Sequence, residues 1–209
     1  RDDEVLAAVY TEALANLSRI ALHRGNREEC LRLRREVVAI ARAFHGRTPD
    51  SGQWRFVLAG RLGLLGWAQR EYGLLDESLA SYSESQEILG KPVEFTRESE
   101  WRQMELSNHH QLGRVWRAMG QGEKARVSFR MAAEGYRKML RDDELNAGCQ
   151  RGLAGSLAHL AVEERDAAHA SEALRIMRDA VRRDPANQKA REELREYESM
   201  LRGVALAPR

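Results

Sequence analysis

The chain has 209 residues, of which 43% are hydrophobic and 32% are charged, a composition typical of a globular protein rather than a disordered segment. Lysine and arginine number 34 and aspartate and glutamate 32, so the net charge of +2 lacks the basic excess of a nucleic-acid-binding domain. Proline is rare, and alanine, leucine, arginine and glutamate are abundant. The composition therefore predicts an all-α protein.

Cysteine content and apolar runs exclude two further classes. Cys30 and Cys149 are too few and too far apart for a disulfide framework or a cysteine-based metal site. The longest apolar stretch, 56–68, is interrupted by Arg61 and is too short to cross a bilayer, so we expect no direct membrane insertion. Because the first residue is Arg1, we interpret the chain as a piece of a longer protein. We expect a soluble domain, cytoplasmic unless the parent protein is membrane-anchored.

One pattern of small and large residues recurs four times along the chain. The clearest copy reads Leu112, Gly113, Trp116, Gly120, Ala125 and Phe129. The second copy reads Leu65, Gly66, Gly73, Ser78 and Tyr82, and the fourth reads Leu160, Ala161, Ala173 and Met177. The first copy reads Leu17, Ser18, Gly25 and Cys30, with Arg34 where the other copies have a large apolar residue. A small residue on each of two paired helices lets their backbones approach closely, so each copy predicts a helix hairpin.

The small residues of the second helices are Cys30, Ser78, Ala125 and Ala173, which are spaced 48, 47 and 48 apart. Apolar residues continue at helical spacing beyond each motif, so both helices of a hairpin should be long. We predict hairpins over 3–45, 52–89, 97–141 and 145–183, in one domain spanning 1–203. The predicted helices are 3–23, 27–45, 52–72, 75–89, 97–119, 122–141, 145–165 and 170–183.

A ninth helix is predicted over 185–202, where it would cap the apolar end of the array. Asp184 is a suitable N-cap and Pro185 suits a first helical position. Gly203 should end the helix, and 204–209 should form a flexible tail.

The repeated pattern resembles the tetratricopeptide repeat, whose signature is W-x2-L-G-x2-Y, A-x3-F and a final proline. The unusual 47–48-residue period, with Pro49, Asp50, Trp54, Arg55 and Phe56 leading into a hairpin, resembles the C-terminal repeat tails of planctomycete-type bacterial serine/threonine protein kinases. The resemblance implies a right-handed α-solenoid of four extended hairpins plus a capping helix. It also implies a larger bacterial signalling protein with a kinase domain upstream, which this part regulates or supplies with partners.

No constellation of residues indicates catalysis, a cofactor or a metal. Gly60, Gly63 and Gly66 recur inside a helix and indicate close packing rather than a phosphate-binding loop. His109 and His110 point about 100° apart on a helix, and the other histidines show no ligand spacing. We therefore predict that the chain is not an enzyme, with no catalytic, cofactor-binding or metal-binding residues.

The exposed face of the first helices is the predicted binding site, because such repeats line a groove with these helices. It comprises Arg19, His23, Trp67, Arg70, His110, Arg114, Arg117 and Arg165. The arginines favour a protein partner or an acidic or phosphorylated peptide. Alternatively, they pair with glutamate and aspartate side chains from neighbouring second helices and form an ordinary solvated surface. The lysine and asparagine pattern of a chaperone-binding carboxylate clamp is missing.

The main functional hypothesis is a non-catalytic protein-interaction scaffold with a basic concave groove. The alternative is a sensor segment of a signalling protein, such as a serine/threonine kinase, whose groove binds a small anionic ligand. Nucleic-acid binding is disfavoured by the even charge balance. A homo-oligomer is compatible with the sequence.

Overall fold

The computed structural model describes residues 2–90 and 98–205, and every element in these two ranges is an α-helix. The helices are α1 (Asp2–His23), α2 (Arg27–Arg47), α3 (Gly52–Glu71), α4 (Leu75–Leu89), α5 (Glu98–Ala118), α6 (Gly122–Asp142), α7 (Ala147–Glu164), α8 (Ala167–Arg183) and α9 (Gln188–Ala205). The chain divides into two compact units, 1–108 and 109–209, with the boundary inside α5. The prediction of a single domain over 1–203 stays a prediction.

The ends of α1 to α8 lie within three residues of the predicted positions. The connection between the predicted helices 75–89 and 97–119 lies almost wholly outside the described residues, as does the predicted tail from 206 onwards.

A left-handed residue forms the turn of each hairpin. In the first three hairpins it is a glycine, at Gly25, Gly73 and Gly120, where φ is +70°, +76° and +74°. The next residue donates its backbone N–H to a carbonyl five residues earlier, for example Gln121 to Trp116 at 2.8 Å. Glycine adopts this conformation without steric cost, which explains why these three turns could be read from the sequence.

The fourth hairpin turns three residues earlier than the predicted alignment requires. Its left-handed residue is Arg165, with φ of 54°, and Asp166 N–H donates to Ala161 O at 3.0 Å. In this register the small residues of the fourth hairpin are Ala158 and Ala170, and both are buried. The predicted residues were Ala161 and Ala173. The prediction was wrong because the fourth turn has no glycine to mark it.

In the first unit, α1 packs on α2, α2 on α3 and α3 on α4. Cys30 is fully buried at the small position of α2, as predicted for a packing group. Gly66 lies against the ring of Tyr82, and the Ser78 hydroxyl donates to Gly66 O at 2.7 Å. Close helix packing therefore uses the predicted small residues.

In the second unit, α6 packs on α7, α7 on α8, and α9 on both α7 and α8. Gly113 of α5 lies against the ring of Phe129, and Gly152 of α7 lies against the ring of Tyr136. These contacts bury two aromatic side chains between successive helices.

Helix α9 begins and ends three residues later than predicted. Asp184 is the C-cap of α8 rather than an N-cap, and Asn187 accepts a hydrogen bond from Ala190 N–H at 3.0 Å, as an N-cap residue does. Gly203 lies inside the helix, which continues to Ala205. Ala190, Tyr197 and Leu201 are buried, so α9 packs through one face on α7 and α8.

Helix α1 has a buried stripe of small and apolar residues and a second, apolar stripe that is exposed. The buried stripe consists of Ala7, Thr11, Leu14, Ser18 and Ala21. The exposed stripe includes Val5, Leu6, Val9, Leu17 and Ile20. By length and composition, Val5–His23 is the one helix in the described ranges that could cross a membrane, a feature that the search for apolar runs missed. The buried stripe packs α1 into the repeat as its first helix.

Candidate functional site: the first-helix face

The left-handed turn residues give a common register for the four first helices. Six residues before each of them stand Arg19, Trp67, Arg114 and His159. Three residues before them stand Leu22, Arg70, Arg117 and Val162. We call the four positions of each unit its first-helix face; α1 and α3 carry them in the first unit, and α5 and α7 carry them in the second.

Arg165 was predicted on this face, and the structure places it elsewhere. It lies in the hairpin turn after α7, exposed, at the position that glycine occupies in the other three hairpins. His159 takes its place on the face. The sequence analysis missed His159 because it aligned the fourth copy three residues too late.

In the first unit, the predicted residues differ in their surroundings. Arg19 is exposed and donates to Asn16 Oδ1 at 2.9 Å. The Arg70 side chain is only 11% exposed and pairs with Glu71 at 2.6 Å. Trp67 is half-buried, with the Arg34 guanidinium carbon 5.6 Å from its ring centroid, and His23 is exposed. Arg19 and His23 are therefore accessible, whereas Arg70 is already neutralised by an acid.

In the second unit, Arg117 is the centre of a polar network. Its Nη1 lies 2.9 Å from His159 Nδ1, and its Nε lies 3.1 Å from Glu163 Oε1. Arginine can only donate, so His159 Nδ1 accepts and the ring carries its proton on Nε2. Arg70 and Arg117 thus both pair with acids, but Glu71 and Glu163 lie on the first helices α3 and α7 and not on the second helices that the alternative named.

His110 lies in the same part of the second unit. Its Nδ1 is 3.1 Å from Ser156 Oγ, and the Ser156 hydroxyl donates to Gly152 O at 2.9 Å. With that hydroxyl proton engaged, His110 Nδ1 acts as the donor. The rings of His110 and His159 are 5.4 Å apart, and His159 stacks on Phe129 at 4.9 Å. Arg114, one turn along α5, is half-buried.

A pocket of about 250 Å³ opens in the first unit among α1, α2 and α3. Its charged lining residues are Arg19, Arg34, Arg61 and Glu12. Asn16, Ser18, Ala15, Val37 and Leu64 complete the lining. Arg61 pairs with Glu12 at 2.9 Å, so three guanidinium groups face a single carboxylate.

Arg34 occupies the position that holds an aromatic ring in the next two repeats. It follows Ser18 by sixteen residues, as Tyr82 follows Gly66 and Phe129 follows Gly113. Only 7% of Arg34 is exposed, and its Nη1 donates to Leu64 O at 2.6 Å. Its Nε is buried and has no hydrogen-bond partner among the described residues. A buried donor without an acceptor costs about 1–3 kcal/mol, so this nitrogen is an unsatisfied polar group inside the first repeat.

A cluster of three possible ligand groups lies at the fourth turn, where no metal site was predicted. The donor atoms of Glu164, Asp166 and His169 lie within 4.8 Å of one another. Each acid also has another partner: Glu164 pairs with Arg130, and Asp166 caps α8 by accepting from Ala168 N–H at 2.7 Å. These hydrogen bonds lower the pKa of Asp166. The cluster is therefore accounted for as an ion-pair network that holds the turn.

The second cysteine has no nucleophilic character. Cys149 is fully buried at the start of α7, and burial, together with the charge of Asp143, raises the pKa of its thiol. A thiol in such surroundings stays protonated and unreactive near neutral pH.

Comparison with known proteins shows the fold. No family model and no curated protein matches the chain. BtubC (BKLC) from P. vanneervenii is 16% identical with a TM-score of 0.64, over 97% of this chain and 81% of that one. A Podosopora anserina putative kinesin light chain with nearly identical TPR-like repeats gives 18% identity and a TM-score of 0.56, over 92% of both chains. A second structure of that protein gives 16% identity and 0.55, over 94% and 97%. The chain thus has the predicted fold, an all-α solenoid of tetratricopeptide-like repeats.

Proposed function

We propose that this chain is a non-catalytic protein-interaction module whose first-helix faces bind acidic segments of a partner. The observation that carries the proposal is that Arg19 and Arg114 stand at these positions with Trp67 and His159, and that none of the eight positions is acidic. Arg70 and Arg117 add positive charge that Glu71 and Glu163 already offset. Guanidinium groups bind carboxylates through paired hydrogen bonds, and an aromatic ring adds contact area.

Arg114 is the best residue with which to test the proposal. Arg117 holds His159 and Glu163, so reversing its charge would set two acids against each other and disturb the helix packing. Arg114 is half-buried on the same helix face. The matched control is Arg175, which lies on α8, the second helix of the fourth hairpin. The Arg175 side chain is 67% exposed.

The experiment measures fluorescence anisotropy of a labelled glutamate-rich peptide, with the same peptide carrying glutamine as the neutral ligand. We expect Arg114→Glu to weaken binding of the acidic peptide by about fivefold, in line with one exposed charge pair, and Arg175→Glu to leave it unchanged. Added salt should weaken binding, since exposed charges are screened beyond about 8 Å at physiological ionic strength. Equal binding of the acidic and neutral peptides would contradict the proposal.

A second candidate function is a sensor segment that binds a small anionic ligand, and the pocket lined by Arg19, Arg34 and Arg61 favours it. A place in a bacterial signalling protein, with a kinase domain upstream, stays a prediction. The gene sequence tests this prediction directly, by whether it encodes a kinase domain before Arg1.

A further inference from the structure

We propose that the pocket among α1, α2 and α3 binds a carboxylate carried on a short aliphatic stem. The inference rests on the proposed function, because it names the chemical group that an acidic partner inserts and the place where it is inserted. Two sources carry this group: an acidic side chain of a partner peptide and a free small organic acid.

Charge is the first reason for this ligand class. Arg19, Arg34 and Arg61 line the pocket with one carboxylate, that of Glu12. Since Glu12 already lies 2.9 Å from Arg61 Nη2, the pocket itself shows a carboxylate held by one of its guanidinium groups. Two positive charges remain without a carboxylate in the lining.

Arg34 supplies the second reason. It is more than nine-tenths buried, it lines the pocket, and its Nε donor has no acceptor among the described residues. A guanidinium in a site of low water content binds an anion more strongly than one in open solvent. The repeats that contain Tyr82 or Phe129 at this position present an aromatic ring instead, so of these three repeats the first alone places a guanidinium there.

The apolar lining limits what the anion can carry. Ala15, Val37 and Leu64 form aliphatic walls, and a volume of about 250 Å³ lies below the range of about 300–1,000 Å³ that is usual for drug-sized ligands. A carboxylate with a few methylene groups fits both the charge and the walls. Inorganic phosphate would leave the walls without an apolar partner.

The test titrates the 209-residue chain with butyrate and with N-acetyl-glutamate amide, and follows the Arg Nε–H resonances by NMR. Butyramide and N-acetyl-glutamine amide are the neutral controls, and inorganic phosphate is a third arm. We expect saturable shifts with the two carboxylates only. Binding of both indicates that a partner side chain can enter the pocket, and binding of butyrate alone indicates a free organic acid; both outcomes support the carboxylate site.

Variants locate the site. Arg61→Gln and Arg19→Gln should each weaken carboxylate binding by about fivefold, as for a lost charge-assisted contact, while Arg32→Gln on the exposed surface of α2 should not change it. Glu12→Gln should tighten binding by about threefold, because it removes a competing carboxylate. Circular dichroism checks that each variant is folded.

Three outcomes would overturn the proposal: no saturable shift, equal binding of amides and acids, or tighter binding of phosphate than of butyrate. Its failure can be told apart from failure of the proposed function. If Arg61→Gln leaves carboxylate binding unchanged while Arg114→Glu weakens the acidic peptide, the pocket is wrong and the binding face stands. If butyrate binds and the acidic peptide does not, the reverse holds.

Discussion

The ring of Phe129 lies so close to Gly113 that a Cβ atom on this glycine would come within 2.6 Å of Phe129 Cε1. Contacts this short force the ring or the helix to move. We therefore expect Gly113→Ala to lower the free energy of unfolding by about 1–3 kcal/mol, and Gly113→Leu to lower it further.

Gly122 is the control for this prediction. A Cβ atom there would meet only the flexible end of Glu163, at 3.3 Å. Urea unfolding of Gly113→Ala and Gly122→Ala should therefore give a clearly larger loss for Gly113. Equal losses would show that α5 and α6 do not pack in this register.

Substitutions at two of the left-handed turn residues should change the free energy of unfolding in opposite directions. Arg165 adopts a left-handed conformation that glycine adopts without steric cost, whereas Gly73 already satisfies this requirement. Arg165→Gly should raise the free energy of unfolding by up to about 1 kcal/mol, and Gly73→Ala should lower it by about the same amount. Thermal unfolding of both variants measures the two shifts, and a destabilised Arg165→Gly would contradict this account of the fourth turn.

Asp166 should stabilise α8 as its N-cap. Its carboxylate accepts from the backbone N–H groups of Ala168 and His169. Asp166→Ala should cost about 1 kcal/mol of unfolding free energy, and Asp166→Asn should cost less, because the amide oxygen can still accept. Chemical denaturation distinguishes the two, and a loss of equal size in both variants would indicate that charge rather than capping matters.

His109 should make stability depend on pH. Burial lowers its pKa below the usual value of about 6.5, so between the lowered and the usual pKa the unfolded chain binds a proton that the folded chain does not. Neutral His109 therefore contributes its full stability at pH values above its pKa in the unfolded chain. This contribution is lost as the pH falls towards the lower pKa of His109 in the folded chain. His109→Gln should reduce the difference in unfolding free energy between pH 7.5 and pH 5.5, and exposed His23→Gln serves as the comparison.

The fold could be predicted at positions where one physical requirement explains the residue type. Gly25, Gly73 and Gly120 mark their turns because only glycine adopts the left-handed conformation without cost. Arg165 adopts the same conformation without being a glycine, so the fourth turn could not be recognised from its residue type. Pro185 suggested a helix start, yet α9 begins three residues later, after the Asn187 cap.

The candidate site was predicted less completely than the fold. Arginines on the first helices could be identified from periodicity. Their ion-pair partners could not, because these depend on how neighbouring helices pack; Glu163 of α7, for example, lies next to Arg117 of α5. The pocket could not be predicted because three helices form it. One signal did exist, since Arg34 breaks the pattern of the repeat at a buried position.

The presence of Arg34 at this position also limits how freely the repeats can be rearranged. Units of a repeat array can often be duplicated, deleted or exchanged, because each contacts its neighbours through similar apolar surfaces. Here the guanidinium of Arg34 donates to a carbonyl of the following repeat, Leu64 O, and lies over Trp67 of that repeat. A different neighbour would leave a buried positive charge without these contacts, so the first two repeats are expected to be inherited, and to be transplanted into other proteins, only as a pair.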